Sequence, residues 1–133
     1  RLLVIQLVLP LDPVPCPRPR MSRKGRIYYP ARYTRFKAAA RKLLPGCCFE
    51  AGIHKPLTGP LVVYLDMAIG RPKRTKLNYP KPDVDNLAKA ALDCGNNFIW
   101  EDDYQIVVLD SRKRWSDPGV EGSITFTIDP IKL

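Results

Sequence analysis

Asp83, Asp85, Glu101, Asp102 and Asp103 are the residues best suited to do chemistry in this chain of 133 residues. The first two stand two apart in Lys81-Pro82-Asp83-Val84-Asp85-Asn86-Leu87-Ala88-Lys89, and the other three follow Trp100. Carboxylates that converge repel one another, so a cation is their natural occupant. Hard oxygen ligands with room left for water suit Mg²⁺, with Mn²⁺ as a substitute. In a basic protein, an acidic pocket of this kind fits metal-assisted cleavage of a phosphodiester. Each residue also has a plainer reading. Asp83 has the position of a helix N-cap, and Asp85 would complement the dipole of the same helix. The acids after Trp100 would form a solvated turn.

Geometry limits the first pair. On an ideal helix, residues two apart diverge by about 200°. Asp83 and Asp85 converge only if the chain is extended at Asp83 and turns helical after it. Pro82 favours that, because it disfavours helical geometry at Lys81 and does not sit inside a helix. Lys89 lies one turn beyond Asp85. It is either a surface partner of that acid or a cation beside a scissile phosphate. Asp93 continues the stripe and is expected to pair with Lys89.

Two helices and four strands are expected to position these residues. One helix runs from about Ala31 to Leu44, where Pro45-Gly46 stops it, with an apolar stripe of Tyr33, Phe36, Ala40, Leu43 and Leu44. The other runs from about Val84 to Cys94 and ends at Gly95-Asn96-Asn97. Its core face is Leu87, Ala88, Ala91, Leu92 and Cys94, and Asp85, Lys89 and Asp93 lie opposite. Strands are expected at residues 2–9, 61–69, 105–109 and 123–128. Residues 10–26 and 70–82 are Pro-rich basic loops. The fold class is α/β (α+β): a single domain over residues 1–133, with a mixed, mostly antiparallel sheet and two main helices packed on it.

Charge is unevenly placed. The net charge is +9, divided as +10 over residues 1–45, +3 over 46–80 and −4 over 81–133. Of the 25 residues from Arg18 to Lys42, 10 are Arg or Lys, with Tyr28, Tyr29, Tyr33 and Phe36 among them. That density points to phosphate contacts. Arg18, Arg20, Arg23, Lys24 and Arg26 form one candidate DNA-binding group, and Arg71, Lys73, Arg74 and Lys76 a second. An apolar content of 45% excludes a disordered chain. No apolar run approaches the roughly 20 residues of a membrane-spanning helix. Cys16, Cys47, Cys48 and Cys94 lack C-x-x-C spacing, and His54 is the lone histidine, so neither a zinc site nor a disulfide framework is expected. Reduced cysteines fit a cytoplasmic protein. The apolar opening is short and lacks a small-residue cleavage site, so it reads as a strand and not as a signal peptide.

The stretch Pro82-Asp83-Val84-Asp85-Asn86-Leu87-Ala88-Lys89-Ala90-Ala91-Leu92-Asp93, followed by Trp100-Glu101-Asp102-Asp103-Tyr104-Gln105-Ile106-Val107, closely resembles the RusA family of Holliday junction resolvases. The family pattern is D-x-D-N-x-x-K opening a helix, then W-x-D-D-x-Q-[IV]-V leading into a strand. The resemblance implies that Asp83, Asp85 and Asp103 bind Mg²⁺ (or Mn²⁺) and that Lys89 is the catalytic lysine. Asp102 would support that set without belonging to it. It also implies a homodimer that cuts opposed strands of four-way junction DNA, encoded by a phage or prophage and working in the bacterial cytoplasm without an organic cofactor. Two other readings stay open at this level. One is a metal-dependent nuclease with a different preference, such as flaps. The other is a basic DNA-binding module in which the acids only cap helices.

Overall fold

Alternation decides the centre of the fold. Leu61, Val63, Leu65, Met67 and Ile69 are buried on one side of a strand, while Tyr64 on the other side is exposed. This is the fourth strand in a computed structural model that describes residues 4–133. In chain order the elements are β1 (Ile5–Leu9), β2 (Arg20–Met21), β3 (Ile27–Tyr28), α1 (Ala31–Glu50), β4 (Leu61–Ile69), α2 (Val84–Gly95), a 3₁₀ turn (Asp103–Gln105), β5 (Ile106–Trp115) and β6 (Ser123–Pro130). The expected first strand began at Leu2; its first two residues lie outside the described residues.

Four strands form one sheet in the order β1-β6-β4-β5. The pairs β1–β6 and β6–β4 are antiparallel and β4–β5 is parallel, so the sheet is mixed and mostly antiparallel. Leu7 stands opposite Phe126, which stands opposite Leu65, and this row carries the buried face across three strands. Tyr33, Phe36, Ala40, Leu44 and Cys48 of α1 and Leu87, Ala88 and Ala91 of α2 join the same core. Both helices therefore cover one face of the sheet. Parallel β4 and β5 require a crossover. That crossover holds α2, and it brings the helix carrying Asp85 to the strand that follows Asp103.

Three expectations change. Helix α1 does not stop at Pro45-Gly46 but continues to Glu50 with Pro45 inside it. Pro45 costs a backbone hydrogen bond, but Leu44 and Cys48 on either side of it are buried in the core, and that burial holds the helix together. The stop is Gly52, with φ +83°: Gly52 N–H donates to Phe49 O and Ile53 N–H to Cys48 O, a Schellman ending with Ile53 buried. Lengthening the helix moves the stripe: Cys48 joins it and Leu43 stays 37% exposed. The basic loop 10–26 contains the hairpin β2–β3, turned at Gly25. Strand β5 runs six residues past Leu109 to Trp115, because Asp110–Trp115 keep pairing with β4 although most are charged. At that sheet edge Arg114 pairs with Asp66 at 3.0 Å.

All four cysteines are free. Burial pushes the Cys48 and Cys94 thiols up to about 11. No helix among the described residues is long and apolar enough to cross a membrane.

Candidate functional site

Helix α2 begins as the spacing requires. Asp83 is extended, with φ −63° and ψ 135°, and its carbonyl accepts the Leu87 N–H that opens the helix. Its side chain makes no capping hydrogen bond. The plain reading of Asp83 as a side-chain cap therefore does not describe this helix. Its carboxylate is exposed and uncommitted to the backbone. Asp85 in the first turn accepts only its neighbour's amide, Asn86 N–H, at 3.0 Å.

The second acidic cluster divides its labour. Asp102 is the cap. Its carboxylate accepts Tyr104 N–H at 3.4 Å, and its own N–H donates to Gln105 Oε1 at 2.9 Å. This reciprocal box spends Asp102 on backbone structure and leaves Asp103 to the cavity. Gln105 is buried and fully committed: its Nε2 donates to Leu57 O at 3.0 Å and Gly59 O at 2.9 Å. Trp100 is fully buried, with its Nε1–H on Asn96 Oδ1 at 2.9 Å, and it fixes the turn from the other side. Replacing Gln105 by Leu strips three hydrogen bonds and leaves two carbonyls short of a donor. That is expected to cost roughly 3 kcal/mol, read by urea denaturation. Cleavage is expected to fall even where the variant remains folded, because Asp103 loses its anchor.

Asp85, Lys89, Asp93 and Asp103 line one open cavity of about 670 Å³ between α2 and β5. The stripe read from the helix thus faces a shared space. Asp83 and Asp102 lie outside that lining. Among the described residues, no three ligand-type side chains already converge on one point. The donor chemistry still fits a hard divalent ion, because Asp85 and Asp103 share the cavity and Asp83, with an exposed carboxylate, stands at the start of the same helix as Asp85. Ser111 adds an oxygen on the cavity wall that is buried without a hydrogen-bond partner.

Asp103 is the perturbed acid. Burial, and then hydrogen bonding with the carboxyls of Asp93 and Asp102, hold its pKa above the usual carboxylate range. Asp93 differs from expectation here. It lines the same cavity as Asp103, and no ion pair among the described residues joins it to Lys89. Lys89 is exposed on the cavity rim.

The basic groups flank this site. Arg18, Arg20, Arg23, Lys24 and Arg26 are all exposed on or beside the β2–β3 arm, whose base is tied to α2 where Cys16 N–H donates to Asn86 O at 2.9 Å. Arg71, Lys73, Arg74 and Lys76 are exposed on the loop that runs from β4 into Asp83. That loop is pinned at three places: Gly70 N–H on Asp12 Oδ1 at 2.7 Å, Trp115 Nε1–H on Leu77 O at 2.9 Å, and Lys113 Nζ on Pro82 O at 2.8 Å. Sequence reasoning missed Ser111 and Lys113. The local signal for them is weak, because Asp110–Arg114 are polar throughout and carry no apolar alternation.

Fold and site together define a basic α+β protein with a carboxylate-lined cavity on α2 and two cationic segments joined to the same helix, features that suit a nuclease. The sequence profile of the endodeoxyribonuclease RusA family matches residues 10–125. The chain belongs to that family, which supports a junction-resolving endonuclease. It is also 33% identical to the uncharacterised protein YqaN of Bacillus subtilis (strain 168), across 83% of this chain and 87% of that one.

Proposed function

We propose that this protein is a divalent-metal-dependent endodeoxyribonuclease that resolves four-way DNA junctions by paired nicks on opposed strands. The observation that carries this reading is the sharing of one cavity by Asp85, Lys89 and Asp103 in a chain of the RusA family. Asp83, Asp85 and Asp103 would hold Mg²⁺ or Mn²⁺. When bound, such an ion polarises the phosphate and makes water a stronger nucleophile at neutral pH. Lys89 sits at the rim, where its ammonium meets the charge that grows on the phosphate oxygens. The arm at residues 18–26 and the loop at residues 71–76 grip flanking backbone, which fixes the strand without reading its bases. A homodimer suits the substrate, because a two-fold enzyme matches a two-fold junction and places one site at each of two opposed strands.

A synthetic four-way junction with each strand labelled in turn tests this. Incubation in Mg²⁺ is expected to yield paired nicks on opposed strands, and EDTA is expected to abolish them. A linear duplex of the same sequence should stay intact. Cutting of flaps and duplex as readily as junctions would remove the junction claim. Binding without cutting in either Mg²⁺ or Mn²⁺ would leave only a DNA-binding module.

A further inference from the structure

Asp93 also lines a second cavity. The middle of α1 and the C-terminal end of α2 enclose about 320 Å³, bordered by Lys37, Arg41, Asp93, Cys94, Asn96 and Asn97. Lys37 and Arg41 are one turn apart on α1, so both reach the same wall. The Lys37 ammonium lies 5.6 Å from the centre of the buried Tyr33 ring, a cation–π contact that steadies it. Neither cation forms an ion pair among the described residues. Asn96 commits its Oδ1 to Trp100, so the atom it has left to offer is the donor Nδ2. An ammonium, a guanidinium and an amide thus border one space with a single acid, Asp93, which also lines the first cavity.

We propose that this second cavity is a phosphate subsite. It takes a backbone phosphate of the cut strand, close to the phosphate held at Asp85 and Asp103. The inference rests on the nuclease reading for its substrate, and it places a strand contact outside both basic loops. Asp93 forms the wall between the two cavities, so a strand running from one to the other would pass it. The two full positive charges of Lys37 and Arg41 still exceed the one charge of Asp93 and the partial negative charge of the α2 C-terminus together. Lys37 and Arg41 then do more than answer the helix dipole.

The test compares wild type with Lys37→Gln, Arg41→Gln and the double variant, using Lys132→Gln as a charge-matched control. Binding of a four-way junction is measured in EDTA across a salt series, with melting temperatures taken alongside. Each cation on a phosphate contributes about 0.9 to the slope of log affinity against log salt. The double variant is expected to lose about 1.8 in slope and roughly tenfold in affinity at moderate salt. Arg41→Lys should keep most of both. A single methylphosphonate moved along the strand should weaken wild-type binding at one position near the cut and leave the double variant indifferent there. Variants that bind like Lys132→Gln, or a methylphosphonate penalty that persists in the double variant, would overturn the subsite. Failure of the nuclease reading looks different: the slope change would be present, with no scission in Mg²⁺ or Mn²⁺.

Discussion

Asp103→Asn will bind a four-way junction and leave it uncut. Removing one carboxylate from a metal site costs several kcal/mol of transition-state stabilisation, and 1.36 kcal/mol is tenfold in rate. Cleavage should therefore fall on the order of a thousandfold or more. The same variant should be more stable than wild type in EDTA at neutral pH. Burial and the carboxyls of Asp93 and Asp102 hold the Asp103 pKa above its unfolded value. A raised acid favours the fold fully below the unfolded pKa, and that contribution is lost as pH rises through the folded one. At pH 7 the wild type carries a partly buried, repelled charge that Asn lacks. The advantage of the variant should shrink as pH falls below the usual carboxylate range. Mg²⁺ should reverse the order if Asp103 is a ligand as proposed, because an ion that binds only the folded state stabilises it in proportion to occupancy. Thermal melts at pH 7 and pH 3.5, with and without Mg²⁺, check all three points. A variant that is less stable in EDTA would make Asp103 a structural acid, and retained cleavage would remove it from the metal set.

Gly95→Ala should be a strongly damaging substitution, although it adds a single methyl group. A Cβ at Gly95 would lie 2.6 Å from Trp100 Cζ2 and 2.8 Å from Cε2. Nothing flexible is available to give way, because the indole is fully buried, packs edge-on against Phe126 and is tied to Asn96. Overpacking of this severity is expected to cost about 3 kcal/mol, a large share of the total stability of a small domain. Trp100 sits three residues before Asp103, so the displaced ring should also carry the 3₁₀ turn away from α2. Urea denaturation measures the first effect and junction cleavage the second. Trp100→Phe in the Gly95→Ala background makes room for the new methyl and should recover part of the loss, as a coupling energy in a double-mutant cycle. Strict additivity of the two substitutions would mean that the contact is not the cause.

Local rules carried far in this chain. Period-two alternation placed β6, and an apolar run bounded by Pro60 and Gly70 placed β4. Pro82 and the D-x-D spacing placed the start of α2 at Val84, and the 3.6-residue period put Asp85, Lys89 and Asp93 on one stripe. The family motif followed from the same residues. These features depend on neighbours within a few positions, and a sequence records such neighbours directly.

Other features were decided by distant contacts. Pro45 breaks helices by local rules, yet α1 runs through it because Leu44 and Cys48 are held by the core. Polar residues 110–115 became strand because β4 was there to pair with them. Asp102 and Asp103 are identical in type and adjacent in sequence, so nothing local separates them. Gln105, anchored to carbonyls at Leu57 and Gly59 nearly fifty residues earlier, closes the box on Asp102 and leaves Asp103 to the cavity. Asp93 shares a cavity with Asp103 because α2 and the 3₁₀ turn meet only in three dimensions. The sequence alone therefore determined which residue types and spacings were present and the family they mark. The tertiary structure decided which acid caps a turn and which faces the cavity, since that choice depends on partners far along the chain.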